Sequence, residues 1–308
     1  AALPIRCAAA PVPPSDEAAA ARVLVRRGEF CELGDAPAAR QREFRDALRG
    51  CAQLSLAQLE DLRSWTLKEK VMRTNWRMAK LGPQILAQWR GGAGVVALSR
   101  QHDMPPVAIL RHALEARLGS RTSARRALAG DAQLLLQREA AELTAALAAD
   151  MVNRVDCSTQ AACAEAFEVS LQRLLGRIGV PFIAQEQLVA EQTARLGQPV
   201  STPDLLLQQQ GAIVVNGQPV HWIEAKNFYG GAVTMLCKQL RKQTTKYVEH
   251  FGPGVVVFRG GFCAGVQEAV APGVQIIGFE ELSGAILAAT AAGGVAEDGA
   301  HAAKRAKP

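Results

Sequence analysis

The hydrophobic period of this chain changes once, and that change limits its fold more than any single residue does. From Ser55 onward apolar residues recur at helical spacing (Leu56, Leu59, Leu62, Leu67, Val71), and two further segments, Val107 to Leu118 and Asp131 to Ala149, read the same way. Thr66 is an expected N-cap there, with Glu69 three residues on completing a capping box. A further helix is expected over Ala161 to Arg177, ended by Gly179. Beyond it the pattern becomes short apolar runs bounded by Pro, Gly and Asn: Leu205 to Leu207, Ala212 to Val215, Val220 to Ala225, Val255 to Phe258 and Val274 to Ile277. Asn216-Gly217 is the preferred pair for a type I′ turn, so the second and third runs are expected to form a hairpin. One more helix, from about Val233 to His250, is closed by Gly252-Pro253-Gly254.

This order predicts an α/β protein in which an all-α region precedes a mixed-sheet domain. The expected divisions are a flexible leader over 1–54 with short helices at Ala18 to Arg27 and Ala38 to Gly50, a helical domain with a linking helix over 55–156, a sheet domain over 157–285, and a disordered Ala-rich tail over 286–308. With 308 residues and 49% of them apolar, wholesale disorder is excluded and two cores are affordable. No apolar run approaches a membrane span and no signal peptide opens the chain, so a soluble protein of the nucleus or cytoplasm, with no membrane partner, is expected. Seven cysteines are scattered without zinc-site spacing, which reads as reduced thiols.

The charge is unevenly placed. Lys and Arg total 35 against 29 Asp and Glu, a net +6, yet residues 1–150 hold 22 basic and 16 acidic side chains and the remainder 13 of each. Residues 63–126 alone carry 13 basic and three acidic groups, +10, a density that attracts nucleic acid by counterion release. Within that segment, Leu98-Ser99, His102-Asp103-Met104-Pro105-Pro106 and the amphipathic run after it have the order of a helix-turn-helix, with Asp103 where glycine usually stands. Its second helix would offer Arg111, His112, Glu115 and Arg117 to a groove, and Arg111 and Arg117 are the expected nucleic-acid contacts.

The chemistry lies further on. Glu224 and Lys226 are two apart on an expected strand, so they leave one face together while Ala225 turns to the other. Asp204, opening a neighbouring strand, could meet Glu224 around one cation, and carboxylates with water suit Mg²⁺ or Mn²⁺. Lys226 would then orient a water or neutralise charge on phosphorus. On the following helix Lys238, Lys242 and Lys246 recur every fourth residue with Arg241 beside them, a stripe suited to phosphates. Gln243 and Tyr247 share the same period about 100° round the helix, aimed at the carboxylates. A cross-strand salt bridge and a solvated basic face are the plain alternatives.

Asp204 in Thr202-Pro203-Asp204, Glu224-Ala225-Lys226, and Gln243 with Tyr247 four residues on resemble the D…E-x-K…Q-x-x-x-Y signature of PD-(D/E)xK nucleases. The wider strings Thr202-Pro203-Asp204, His221-Trp222-Ile223-Glu224-Ala225-Lys226 and Phe251-Gly252-Pro253-Gly254 are similar to the TPD-motif family among them, across roughly residues 55–282. The resemblance implies a restriction-endonuclease-like fold, a metal-dependent phosphodiester hydrolase acting on DNA or RNA, and, as in animals, a codanin-like partner. It further implies Asp204, Glu224 and the carbonyl of Ala225 as metal ligands, Lys226 as the water-positioning base, Gln243 and Tyr247 as supporting groups of the catalytic set, and a helix carboxylate near the metal, Glu168 in preference to Glu165. The competing expectation is a catalytically idle nucleic-acid-binding or scaffolding protein on the same fold.

Overall fold

The computed structural model describes residues 2–6, 11–49, 54–153 and 158–304. The chain is a mixed α/β protein that divides into two compact units, Ser15–Thr159 and Ala1–Pro14 with Gln160–Pro308. A first strand, β1 (Leu3–Ile5), belongs to the second of these.

The Ser15–Thr159 unit is helical: α1 (Pro14–Leu24), α2 (Ala38–Leu48), α3 (Leu56–Thr74), α4 (Trp76–Arg90), α5 (Val95–His102), α6 (Pro106–Leu118), α7 (Arg121–Leu128) and α8 (Gln137–Ala148). Its core is built round α6, whose Val107, Ile109, Leu110, Ala113 and Leu114 are buried among Ile85 and Trp89 of α4, Leu98 of α5, Leu128 of α7 and Leu143 of α8. Each such aliphatic side chain contributes about 1.5–3 kcal/mol on burial. The tight turn between α5 and α6 is real. Asp103 stands in the left-handed region at φ 55° and can stay there because its carboxylate accepts from the Gly28 amide at 2.6 Å and pairs with Lys70 at 2.6 Å.

Two local expectations fail in this unit. Ser55, not Thr66, caps α3: its hydroxyl accepts from Gln58 N and the Gln58 side chain accepts from Ser55 N, a capping box eleven residues upstream of the expected one. Thr66 lies inside the helix, where its hydroxyl donates back to the Leu62 carbonyl at 2.7 Å. The leader is also not loose where it is described. Ile5 and Val12 are buried, β1 pairs with a later strand, and α1 begins at Pro14, ahead of the expected Ala18.

The second unit continues with α9 (Ser158–Arg177), β2 (Phe182–Ala184), α10 (Gln185–Leu196), β3 (Leu205–Leu207), β4 (Ile213–Val215), β5 (Gln218–Pro219), β6 (Trp222–Lys226), α11 (Thr234–Phe251), β7 (Gly254–Phe258), β8 (Val274–Gly278) and α12 (Phe279–Lys304). Five strands form one mixed sheet in the order β2-β3-β6-β7-β8, antiparallel up to β6 and parallel beyond it. The Asn216-Gly217 turn does form, with φ 48° and 82°, but it joins β4 to the two-residue β5 in a separate sheet with β1. The strand expected over Val220 to Ala225 therefore starts later and pairs with β3 instead. One side of the five-stranded sheet, through Leu205, Ile223, Val255, Val257 and Ile277, packs with Phe167 and Leu171 of α9 and Leu282 and Ile286 of α12. Ile286 thus belongs to the core, so the segment expected as a disordered tail from 286 begins inside an anchored helix, Phe279–Lys304. Four cysteines, Cys31, Cys163, Cys237 and Cys263, carry no disulfide, while Cys7, Cys51 and Cys157 lie outside the described residues. No helix among the described residues is long and apolar enough to cross a membrane.

Candidate active site

The pairing of β3 with β6 sets Leu205 opposite Ile223, which leaves Asp204, one residue earlier, beside the middle of β6. There its Oδ2 accepts the Ala225 amide at 2.7 Å. Along β6, Trp222, Glu224 and Lys226 share one face, the face covered by α11, whose Tyr247 ring meets the Trp222 indole edge-on at 5.1 Å. The start of the strand is locked by the Phe251 to Gly254 turn. The His221 Nδ1–H donates to the Phe251 carbonyl at 2.7 Å, the Trp222 Nε1–H to the Gly252 carbonyl at 2.8 Å, and the His221 amide to the Pro253 carbonyl at 2.9 Å. Gly254 must be glycine, because a Cβ there would stand 2.2 Å from the Trp222 ring. His221, Trp222 and the Gly-Pro-Gly turn are therefore structural parts that fix where Glu224 sits.

Glu224 is 3% exposed. Its Oε1 accepts from Lys226 Nζ at 2.6 Å and from Gln243 Nε2 at 2.8 Å, while Gln243 also donates to the Tyr247 hydroxyl at 2.9 Å, and that hydroxyl donates to the Thr202 carbonyl at 3.1 Å. Its Oε2 is buried with no hydrogen-bond partner. A bare carboxylate oxygen in such a place costs about 1–3 kcal/mol or more unless something positive meets it. Burial first, and the Glu224 charge second, push the Asp204 carboxyl up to about 8. The same two causes, in that order, raise Glu168, which reaches the site from α9 and is half-buried, whereas Glu165 is exposed. Burial, then the charge of Glu224, also raises the Tyr247 phenol, which stays neutral and acts as a hydrogen-bond relay. Several carboxyl groups thus resist carrying charge together, with Lys226 as the adjacent cation.

Among the described residues no three His, Cys, Asp or Glu side chains form a ready cation cage. Asp204 and Glu224 offer two carboxylates, one of them with a bare oxygen, and Mg²⁺ prefers oxygen ligands and keeps most of its water, so this donor set fits a hard divalent ion and not Zn²⁺.

The expected phosphate contacts are distributed differently. Lys242 and Lys246 line an open groove of about 320 Å³ with Val200, Thr202, Gln243 and Tyr247, directly beside the carboxylates. Lys238 and Arg241 are exposed on the same helix, and Arg241 donates to the Glu268 carbonyl. Arg117 is exposed and holds the buried Glu139 with two bonds of 2.6 Å. Arg111 is exposed. The first residues of α6, Pro106 to Leu110, are buried throughout, so only its later residues reach the surface.

Two residues with a clear part in the site had not been singled out. Gln192 of α10 receives the amides of Val200 and Ser201 at 2.7 and 3.1 Å and donates to the Ser201 carbonyl at 2.6 Å. Gln185, at the start of that helix, donates from its side chain to the Thr202 carbonyl at 3.0 Å and from its backbone to the Asp204 carbonyl at 3.0 Å. Together they clamp the loop that carries Asp204. A glutamine pair seven apart, on two turns of one short helix, was the available signal.

Comparison with known proteins places this arrangement in context. The family described as "Protein of unknown function TPD sequence-motif" matches residues 136–278, which include Asp204, Glu224, Lys226, Gln243 and Tyr247. An uncharacterized protein, L539, of Acanthamoeba polyphaga mimivirus is 34% identical over 103 residues, 33% of this chain and 36% of its own length. CDAN1-interacting nuclease 1 of Mus musculus and of Homo sapiens are each 34% identical over 108 residues, 35% of either chain. The matched stretch thus spans about a third of these curated relatives. No solved structure matches the chain. Residues 136–278, with the candidate site inside them, match the TPD sequence-motif family, and about a third of the chain is similar to CDAN1-interacting nuclease 1.

Proposed function

We propose that the protein is a divalent-metal-dependent nuclease of restriction-endonuclease-like type that hydrolyses phosphodiester bonds in DNA or RNA. The observation that carries this reading is the state of Glu224: one oxygen saturated by Lys226 and Gln243, the other bare and buried, next to a second carboxyl, Asp204, that burial keeps from ionising on its own. A structural salt bridge would not need the second carboxyl or the glutamine–tyrosine relay. Homology to a protein named as a nuclease supports the same class.

Asp204, Glu224 and the Ala225 carbonyl would hold the ion, with Glu168 alongside; bound there, it would supply charge for the scissile phosphate and a lowered pKa for an attacking water. The chain's own groups do the rest. Lys226 keeps its ammonium beside Glu224, where it orients the water and offsets charge gathering on phosphorus. Gln243 and Tyr247 hold Glu224 in one rotamer and tie it to the Thr202 carbonyl, so carboxylate and loop move together. Lys242 and Lys246 draw the strand along the groove. By the same homology, a codanin-like protein is the proposed partner.

The test is incubation with Mg²⁺ or Mn²⁺ and labelled single-stranded, duplex, flap and junction substrates. Cleavage with either ion and none in EDTA is expected. Cleavage that persists in EDTA overturns the metal-dependent reading, and absence of cleavage on every substrate leaves an idle binding protein.

A further inference from the structure

One cleft of the helical unit, apart from the candidate active site, gathers three arginines. Asn75, Arg111, His112, Glu115, Arg121 and Arg125 line a cleft of about 430 Å³ between α4, α6 and α7. Like charges repel, and three guanidinium groups in one concave surface carry a cost unless something negative enters it. The cleft's own acid does not meet that need: Glu115 reaches Arg121 at 3.9 Å, while Arg111 and Arg125 have no ion pair among the described residues. Arg40, Arg63 and Arg117 of the same unit, by contrast, find carboxylates or carbonyls. The backbone beneath is closely packed. Ala108, Ala113 and Ala124 are buried in the core, and Gly82 of α4 lies so close to the His112 ring that a Cβ would stand 2.6 Å from Nε2.

Next to the lining residue Asn75, Trp76 opens α4 with 65% of its surface exposed, and Met72, four residues before it, is 66% exposed. An indole left in water beside an arginine cleft is a stacking platform for a base whose face is free. A duplex keeps its base faces covered, and a pocket of this volume takes a phosphate group and not a double helix.

We propose that the cleft of Arg111, Arg121 and Arg125 is a phosphate-anchoring site for a single nucleic-acid strand, with Trp76 stacking an unpaired base beside it. The helical unit would then hold its ligand by backbone charge and stacking, without sequence readout, which suits a helix α6 whose first residues are buried.

Binding of a fluorescein-labelled twelve-residue oligothymidylate to the full chain, in EDTA so that no cleavage intervenes, tests this apart from the nuclease reading. Log affinity should fall linearly with log salt, and Arg111→Ala and Arg125→Ala should each reduce the slope by roughly 0.7, one phosphate contact on a single strand. Arg111→Lys should restore most of the slope, and Trp76→Ala should weaken binding at least about fivefold with the slope unchanged. Circular dichroism confirms folding of these surface variants. Equal affinity for a matched blunt duplex, an Arg111→Ala/Arg125→Ala variant that binds as the parent does, or tighter binding of a phosphopeptide than of the oligonucleotide overturns the proposal.

Discussion

The two units use charge in opposite ways. In the helical unit several buried or half-buried ions are matched: Arg117 grips Glu139 with both nitrogens, Lys70 meets Asp103, Arg40 meets Glu29, and the fully buried Arg63 donates to the carbonyls of Leu24 and Cys31, although Glu60 there keeps one buried oxygen without a partner. In the α/β unit Asp204, Glu224 and Glu168 gather near one lysine, and one Glu224 oxygen is left over. Matched pairs are struts, because each desolvated charge has its partner at hydrogen-bond distance and asks for nothing more. An unmatched, desolvated acid is a standing free-energy cost, which a ligand can relieve.

The largest effects should come from breaking the unmatched set. Glu224→Ala and Lys226→Ala should each lower cleavage by more than about 100-fold, the scale seen when a group acting only in the transition state is removed. Melting temperature should hold or rise in Glu224→Ala, since the variant removes a bare buried oxygen and the charge that presses on Asp204. Full turnover in either variant, or collapse of the fold in both, would show that the pair is a strut like those in the other unit.

The reverse pattern is expected for Arg117→Ala. Glu139 is 1% exposed and would keep only the Leu136 amide as a partner, so the helical unit should lose about 1–3 kcal/mol in denaturant unfolding, while single-strand affinity stays as in the parent. Weakened binding without loss of stability would place Arg117 on the ligand surface.

These contrasts explain what was legible in the sequence. Glu224 with Lys226, and Gln243 with Tyr247, could be placed because spacings of two on a strand and four on a helix dictate shared faces. Asp204 followed from its strand-opening position. The count of basic residues over 63–126 was readable, but not which of them were taken, because the partners of Arg63 and Arg117 lie 39 and 22 residues away in sequence. The β1 pairing with β4 joins residue 3 to residue 213, a contact that no local pattern announces. Helix α10 escaped for a related reason: its buried face is only Leu188 and Gln192, too little for an apolar stripe, and its worth lies in hydrogen bonds to a loop.

A smaller effect concerns pH. The Asp204 carboxyl is pushed from its ordinary 3.8 up to about 8, so the folded state holds a proton that the unfolded chain has released. Stability is therefore fully present below about pH 4 on this account and declines as pH rises toward 8. Thermal melting in EDTA should therefore drop as pH rises across that window. Asp204→Asn should flatten the decline, and Mg²⁺ should offset it at the upper end by stabilising both ionised carboxylates. A melting temperature independent of pH in EDTA would mean that neither burial nor the Glu224 charge holds a proton on Asp204.

The smallest difference separates two acids on one helix. Glu165 and Glu168 lie three apart on α9, but Glu165 is exposed, whereas Glu168 is half-buried and feels Glu224 as the second cause of its raised pKa. Water screens an exposed charge almost completely, and a half-exposed one retains an interaction of up to about 1 kcal/mol, which is roughly fivefold in a binding constant. Glu168→Gln should therefore weaken Mn²⁺ binding, followed by calorimetry, by about that factor, and Glu165→Gln should leave it unchanged. Because glutamine keeps the shape and the hydrogen-bonding oxygen, the loss reads charge alone. If both variants bind Mn²⁺ as the parent does, the ion is held by Asp204 and Glu224 without the helix, and the crowding of acids at Glu168 is a consequence of how α9 packs on the sheet.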